Sequence, residues 1–179
     1  MQKIICAGGC GFIGSEFVRQ LGNKIFVIDK LTYAGKVERI PADSFFFMRD
    51  ISKVRTIEGI FELCKPDYVV NFAAETHVDN SIKDSYPFIQ TNIVGTKVLC
   101  DLCLKHNAIL IQISTDEVYG DRVKGAFCES DPLRPNNPYS ATKASAELII
   151  RSYVRTFNLK SIIIRPSNNY GIHQHQEKF

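Results

Sequence analysis

Tyr139 and Lys143 stand four residues apart in "NPYSATKASAE", a spacing that puts a phenol and an ammonium on one face of a helix. The pair suits proton removal from an alcohol as a hydride leaves its carbon. A phenol is a poor base at its ordinary pKa of about 10. An ammonium about 5 Å away, at an effective dielectric of about 20, favours the phenolate by roughly 3 kcal/mol. That is on the order of two pKa units before burial works against it. In "ISTDEVYG" (113–120), Thr115 ends an apolar run, where its hydroxyl can bond the same substrate oxygen. Two carboxylates follow, Asp116 and Glu117, and alcohol oxidation needs neither. A new ketone acidifies the neighbouring C–H. One carboxylate can then remove that proton while a second, protonated carboxyl donates to a hydroxyl leaving one carbon farther on, a general acid–base elimination. Adjacent carboxyls in a dry pocket split their pKa values, which leaves open which of the two is the acid. Side chains alternate along a strand, so adjacency does not make both face one site, and a charged loop tip is the plain alternative.

A hydride needs an acceptor. "GGCGFIG" reads Gly8-x-x-Gly11-x-x-Gly14, follows the apolar "KIICA" and opens a helical pattern through Phe12 and Ile13. Glycines there let the backbone approach a pyrophosphate, and the helix N-terminus stabilises its charge. Asp29 ends the second apolar run, where a carboxylate binds an adenosine ribose and repels a 2′-phosphate, favouring NAD over NADP. Asp50, before Ile51, is placed either to accept from an adenine amino group or to cap a helix. Ser114 is expected to pack near the nicotinamide.

These residues need a scaffold that brings strand ends together. Short apolar runs at 3–7, 24–29, 44–48, 68–73, 108–114 and 160–165 predict six strands. Helical periodicity predicts helices over 12–21, 51–64, 87–106 and 138–157, the last two opening on Pro87 and Pro138. Apolar strands separated by helical crossovers predict an α/β fold, a doubly wound parallel sheet of Rossmann type, with its ligand crevice outside the carboxyl ends of the strands. Residues 8–14, Asp29, 73–79, 114–119 and 166–171 all follow strands. The charged, proline-bearing stretch 120–137 is a loop and a candidate lid.

One domain fits the 179 residues, of which 45% are hydrophobic and 23% charged. A net charge of +3 with no basic stripe excludes a nucleic-acid footprint, and no stretch is long and apolar enough for a membrane helix. Six cysteines without a secretion signal read as thiols of a reducing, cytoplasmic compartment. Cys100 and Cys103 form a CxxC with no second pair, so no metal site is expected.

The set "GGCGFIG", "DKLTYAG", "NFAAETHVDNSI", "TNIVGT", "ISTDEVYG", "NPYSATKASAE" and "RPSNNYG" resembles the nucleoside-diphosphate-glucose 4,6-dehydratases, extended short-chain dehydrogenases/reductases of which the dTDP-glucose enzymes are best known. The resemblance covers nearly the whole chain. It implies bound NAD, with Tyr139, Lys143 and Thr115 taking the proton of the glucose 4-hydroxyl. Glu117 would remove the C5 proton and Asp116 protonate the departing 6-hydroxyl, giving a 4-keto-6-deoxy sugar nucleotide. It further implies that Phe12, Ile13, Lys30, Leu31, Thr32, Ala34, Gly35, Ile51, Ala73 and Ala74 line the cofactor and that Asn168 reaches the nicotinamide end. Glu75, His77 and Asn169 would lie near the substrate, with Asn92 as a buried support for the loops. It implies a homodimer through helices 87–106 and 138–157, with apolar positions such as Leu99 and Ile150 at the seam. Ala7 stands where the family commonly has threonine, and Ile172 and Gln176 where it commonly has proline. The family runs on well past the position of Phe179 into a smaller domain that grips the sugar nucleotide. The expectation for 1–179 alone is therefore an NAD-binding domain with little or no turnover. Two readings compete: a sugar-nucleotide 4-epimerase or decarboxylase of the same superfamily, which needs no acid pair, and a non-catalytic nucleotide-binding or scaffold protein.

Overall fold

The computed structural model describes residues 2–22 and 25–174. Six strands form one parallel sheet: β1 (Ile4–Ala7), β2 (Phe26–Asp29), β3 (Phe45–Met48), β4 (Tyr68–Asn71), β5 (Ile109–Ile113) and β6 (Ser161–Ile164). Their order is β3-β2-β1-β4-β5-β6, the doubly wound arrangement expected from the sequence. Register is continuous across the centre, with Cys6 paired to Val27 on one side and Val70 on the other. The strand order reverses between β1 and β4, and their carboxyl ends open the crevice there.

The central strands are covered on both faces, while the edge strands β3 and β6 leave Phe45, Met48, Ile162 and Ile164 exposed. On one face, α2 (Val54–Cys64), α5 (Thr96–His106) and α6 (Pro138–Phe157) bury Ile57, Phe61, Leu99 and Ile150 against Ile5, Val69 and Leu110. On the other, α1 (Phe12–Leu21) packs Val18 against Cys6 and Val27. Leu99 and Ile150 are each 0% exposed, so neither can form a seam with another chain, contrary to the expectation. Helical spacing marked them as apolar, and the sheet and neighbouring helices take them. The exposed apolar side chains of α6 are instead Leu148, Val154 and Phe157.

Helix α2 starts at Val54 rather than 51, because Asp50 turns the chain first: its Oδ1 accepts from the Ser52 amide at 2.8 Å and its carbonyl from Lys53 at 3.1 Å. The side chain thus closes a turn rather than capping a helix. A short helix not legible in the sequence, α3 (Val78–Lys83), follows β4. The next helix runs unbroken from α4 (Tyr86–Phe88) through a π-helical stretch, Ile89–Gly95, into α5. Among the described residues no helix is long and apolar enough to cross a membrane, and no cluster of three metal-ligating side chains occurs. Gln176, like the end of the chain at Phe179, lies outside the described residues.

Candidate active site

At the sheet's switch point the glycine turn is built for close approach. Gly8 has φ +75°, and a Cβ there would stand 2.4 Å from the Ala73 amide nitrogen. At Gly14 a Cβ would sit 2.2 Å from the Gly8 carbonyl oxygen, so this glycine presses α1 onto the turn. Gly11 differs: an added Cβ would meet only the Gly8 carbonyl oxygen, at 3.4 Å, an ordinary contact, so the turn itself does not require glycine there. Gly11 is also the N-cap of α1 and offers no side chain to its first amides. A bare cradle at a helix N-terminus is what an anionic phosphate requires.

The crevice above this turn is lined by Gly8, Gly11, Asp29, Lys30, Thr32, Ala34, Gly35, Ile51, Ala73 and Ala74, all expected, and by Ile28, Arg49, Phe72 and Thr91, which were not. Arg49 directly follows β3, where the strand-end rule pointed, whereas Phe72 lies inside the expected strand 68–73 and follows β4 only because that strand ends at Asn71. Asp29 accepts from the Cys10 and Leu31 amides, each at 2.9 Å, one on each oxygen. An ionised carboxylate offers about four acceptor sites, so capacity for ribose hydroxyls remains. Lys30 reaches across the crevice, bonding Glu75 Oε1 and Thr91 Oγ1, each at 2.8 Å. Asn92, 2% exposed, pins the Glu75 loop: it accepts from the Glu75 amide at 3.0 Å and donates to the Glu75 carbonyl at 3.0 Å and to Thr142 Oγ1 at 2.9 Å. These donors and acceptors fit a dinucleotide.

Some expected residues lie off this crevice. Phe12 and Ile13 begin α1, with Ile13 37% exposed, and Leu31 is packed into the α1 layer at φ +53°. His77 is the N-cap of α3, its Nδ1 accepting from the Asn80 amide at 3.4 Å. Asn168 and Asn169 are exposed after β6, and the Asn169 amide donates back to the Ser167 carbonyl at 3.0 Å.

Beside the crevice stand the chemical groups. The chain leaves β5 at Ile113 and enters a 3-10 turn, Asp116–Tyr119, with Thr115 as its N-cap. This turn ends the alternation of a strand and lets successive acids approach one site. Thr115 Oγ1 accepts from the Glu117 amide at 3.3 Å. Asn137 caps α6 through its Oδ1, and its Nδ2 donates to Glu117 Oε2 at 3.2 Å, joining the acid turn to the helix that carries the phenol. The buried Ser81 of α3 accepts from the Tyr139 amide at 3.2 Å, and Phe88 meets the Tyr139 ring edge-on at 6.5 Å. Neither Asn137 nor Ser81 was foreseen. A capping residue followed by proline marked Asn137 only as a helix start.

Tyr139 and Lys143 are 7% and 4% exposed. Burial pushes the Tyr139 phenol up to about 12; the charges of Glu117 and Asp116 push the same way, and a hydrogen bond with Thr115 opposes them. The expected fall toward phenolate is thus reversed in the free protein. Lys143 bonds the Ile113 carbonyl at 2.6 Å, and the phenol feels the acid pair instead. Burial also holds Lys143 down at about 8, with Glu147 opposing. Ser114 faces α6, donating to Glu147 Oε1 at 2.6 Å.

The family model described as GDP-mannose 4,6 dehydratase matches residues 5–179. The chain belongs to that family. Two relatives are each 44% identical over 99% of this chain: the low-salt glycan biosynthesis protein Agl12 of Haloferax volcanii, 60% of which is covered, and a dTDP-glucose 4,6-dehydratase of Streptomyces antibioticus, covered to 56%. Among solved structures, DesIV, a dTDP-glucose 4,6-dehydratase from Streptomyces venezuelae with NAD and TYD bound, superposes with a TM-score of 0.93 at 39% identity, covering 98% of this chain and 59% of that one. A UDP-glucose 4-epimerase of Thermotoga maritima with UDP-glucose superposes with a TM-score of 0.91 at 33% identity, covering 97% and 58%. The chain therefore spans less than two thirds of the length of these relatives.

Proposed function

We propose that residues 1–179 form the NAD-binding and catalytic unit of a cytoplasmic nucleoside-diphosphate-glucose 4,6-dehydratase, acting on dTDP- or UDP-glucose. The observation that carries this is the 3-10 turn Asp116–Tyr119, which is tied through Glu117 to Asn137 at the head of the helix bearing Tyr139 and Lys143. The fold alone does not decide, since an epimerase shares it at a TM-score of 0.91. An epimerase has no use for an acid pair.

Gly8, Gly11, Gly14, Asp29, Lys30, Thr32, Ala34 and Ala73 would hold the dinucleotide, which supplies a hydride acceptor that later returns the hydride. Tyr139, with Thr115 and Lys143, would take the proton of the sugar 4-hydroxyl as C4 becomes a ketone, once the positive charge of a bound oxidised nicotinamide and of Lys143 outweighs the burial and acid charges that hold the phenol protonated in the free protein. The C5 proton, acidified by that ketone, passes to Glu117. Asp116 gives a proton to the 6-hydroxyl, which leaves as water. As C6 is reduced, Glu117 would return a proton to C5, leaving a 4-keto-6-deoxy sugar. Glu75, His77 and Asn169 are proposed on the substrate side, and Asn168, Asp50, Phe12, Ile13, Leu31, Gly35, Ile51 and Ala74 around the cofactor. A homodimer through α5 and α6 is supported by the exposed Leu148, Val154 and Phe157 on α6. Six unpaired thiols, five of them buried, suit a reducing compartment.

The test is incubation with NAD and either dTDP-glucose or UDP-glucose, followed by mass spectrometry. Loss of one water with formation of a keto sugar supports the reading. An isomer of unchanged mass points to an epimerase. Tight NAD binding with neither product would move the chain to the nucleotide-binding alternative.

A further inference from the structure

Glu147 lies at the heart of the chain with no place in the chemistry above. It is 0% exposed, one helical turn beyond Lys143 on the same face of α6. Ser114 donates to its Oε1 at 2.6 Å. The Arg165 guanidinium grips it as a fork, from Nε at 2.9 and 3.1 Å and from Nη2 at 2.6 Å, while Arg151 approaches to 3.7 Å. Arg165 in turn donates to the Tyr139-side turn at the Tyr119 hydroxyl and lies over that ring at 4.7 Å.

Three consecutive residues leaving β5 are thus tied to α6. The Ile113 carbonyl holds Lys143, the Ser114 hydroxyl holds Glu147, and the Thr115 hydroxyl meets Tyr139. A structural salt bridge alone would need only Arg165. The Ser114 bond and the position beside a buried ammonium point further. We propose that Glu147 is a positioning residue of this site, fixing the 113–115 segment against α6 and supplying the counter-charge of the buried Lys143. The proposal rests on Tyr139 and Lys143 being the proton-handling pair. Among ionisable groups, Arg165 and Arg151 ion-pair with Glu147, Tyr119 meets Arg165, and Tyr139, one turn before Lys143, faces Asp116 and Glu117. Of these, burial and Glu147 govern the state of Lys143, the first lowering and the second raising its proton affinity.

The test follows Lys143 itself, independently of substrate. The chain is labelled with 13C at lysine Cε, Lys143 is assigned with K143M, and its resonance is titrated in wild type, E147D, E147Q and E147Q/R165Q. E147Q is expected to lower the proton affinity of Lys143 by about tenfold. E147D keeps the charge and is expected to hold it near the wild-type value. Removing one partner of a buried pair destabilises strongly, whereas replacing both is near neutral. The double variant therefore carries the measurement if E147Q does not fold; because it also loses the Arg165 cation, whose charge opposes that of Glu147, its fall is expected to be smaller than that of E147Q. An unchanged titration in a folded Gln variant, a fall in E147D equal to that in E147Q, or loss of cooperative melting in both Gln variants would overturn the proposal. Keto-sugar formation is read separately, so failure of the dehydratase reading leaves this titration intact and distinguishable.

Discussion

Lys143→Met should make the protein more stable while removing its chemistry. The folded chain buries this ammonium and lowers its pKa from 10.5 to about 8. That difference, about 2.5 units, corresponds to roughly 3 kcal/mol of folding free energy at neutral pH. Methionine matches the stem in length and carries no charge. It loses the bond to the Ile113 carbonyl, about 1 kcal/mol, but that carbonyl keeps the Gln112 amide at 3.1 Å. The net gain is about 2 kcal/mol, or a melting temperature about 4–8 °C higher for a domain of this size. The sign with pH follows directly. Below about 8 both states hold the proton and the penalty on wild type is complete. Between there and 10.5 only the unfolded chain holds it, so wild-type stability rises with pH and the variant's advantage shrinks. Above that window wild type should be the more stable by the lost hydrogen bond. Urea denaturation of both proteins from pH 6.5 to 11 checks this. A variant that is less stable at pH 7, or a difference that does not change with pH, would refute the electrostatic account of Lys143.

Other outcomes follow from the same geometry. Gly14→Ala should lower the melting temperature sharply, whereas Gly11→Ala should leave melting nearly unchanged and weaken NAD binding by calorimetry; equal effects on melting would contradict the separate roles given to these glycines. Asn92→Ala removes three hydrogen bonds and leaves the Glu75 amide and carbonyl without it, so a loss of about 2–3 kcal/mol in denaturant unfolding is expected. Lys30→Met breaks a partly exposed ion pair and should change stability by less than about 1 kcal/mol while altering NAD affinity. Glu117→Gln should stop exchange of the sugar C5 proton with solvent in an active enzyme, as followed by deuterium incorporation; undiminished exchange would remove Glu117 from the role of base.

The strands and the glycine turn were legible because each is a local pattern: an apolar run, a strand-to-helix break, an acid at a strand end. The site was legible as a set of residues but not as a set of contacts. Four-residue spacing placed Tyr139 and Lys143 on one face, yet could not show that the Ile113 carbonyl captures the ammonium or that burial dominates the phenol. The 3-10 turn that resolves the acid pair has no periodicity of its own in four residues. Leu99 and Ile150 failed as seam residues because periodicity identifies an apolar stripe without saying what covers it. Ser81 and Asn137 escaped notice because their partners, Tyr139 and Glu117, lie 58 and 20 residues away.

The π-helical stretch Ile89–Gly95 gives one rod two independent bearings. Its wider winding aims Thr91 at the crevice and Asn92 at the Glu75 backbone, while Val98, Leu99 and Leu102 downstream are seated in the core. A π turn holds about one residue more than the α turn it replaces, so deleting one residue from that stretch should let it close to ordinary winding with the flanking faces nearly in register. Deleting one from regular α5 should instead turn its two ends against each other by about 100° and unseat the core leucines. The wide winding thus makes seven unremarkable residues the place where this rod absorbs a change of length.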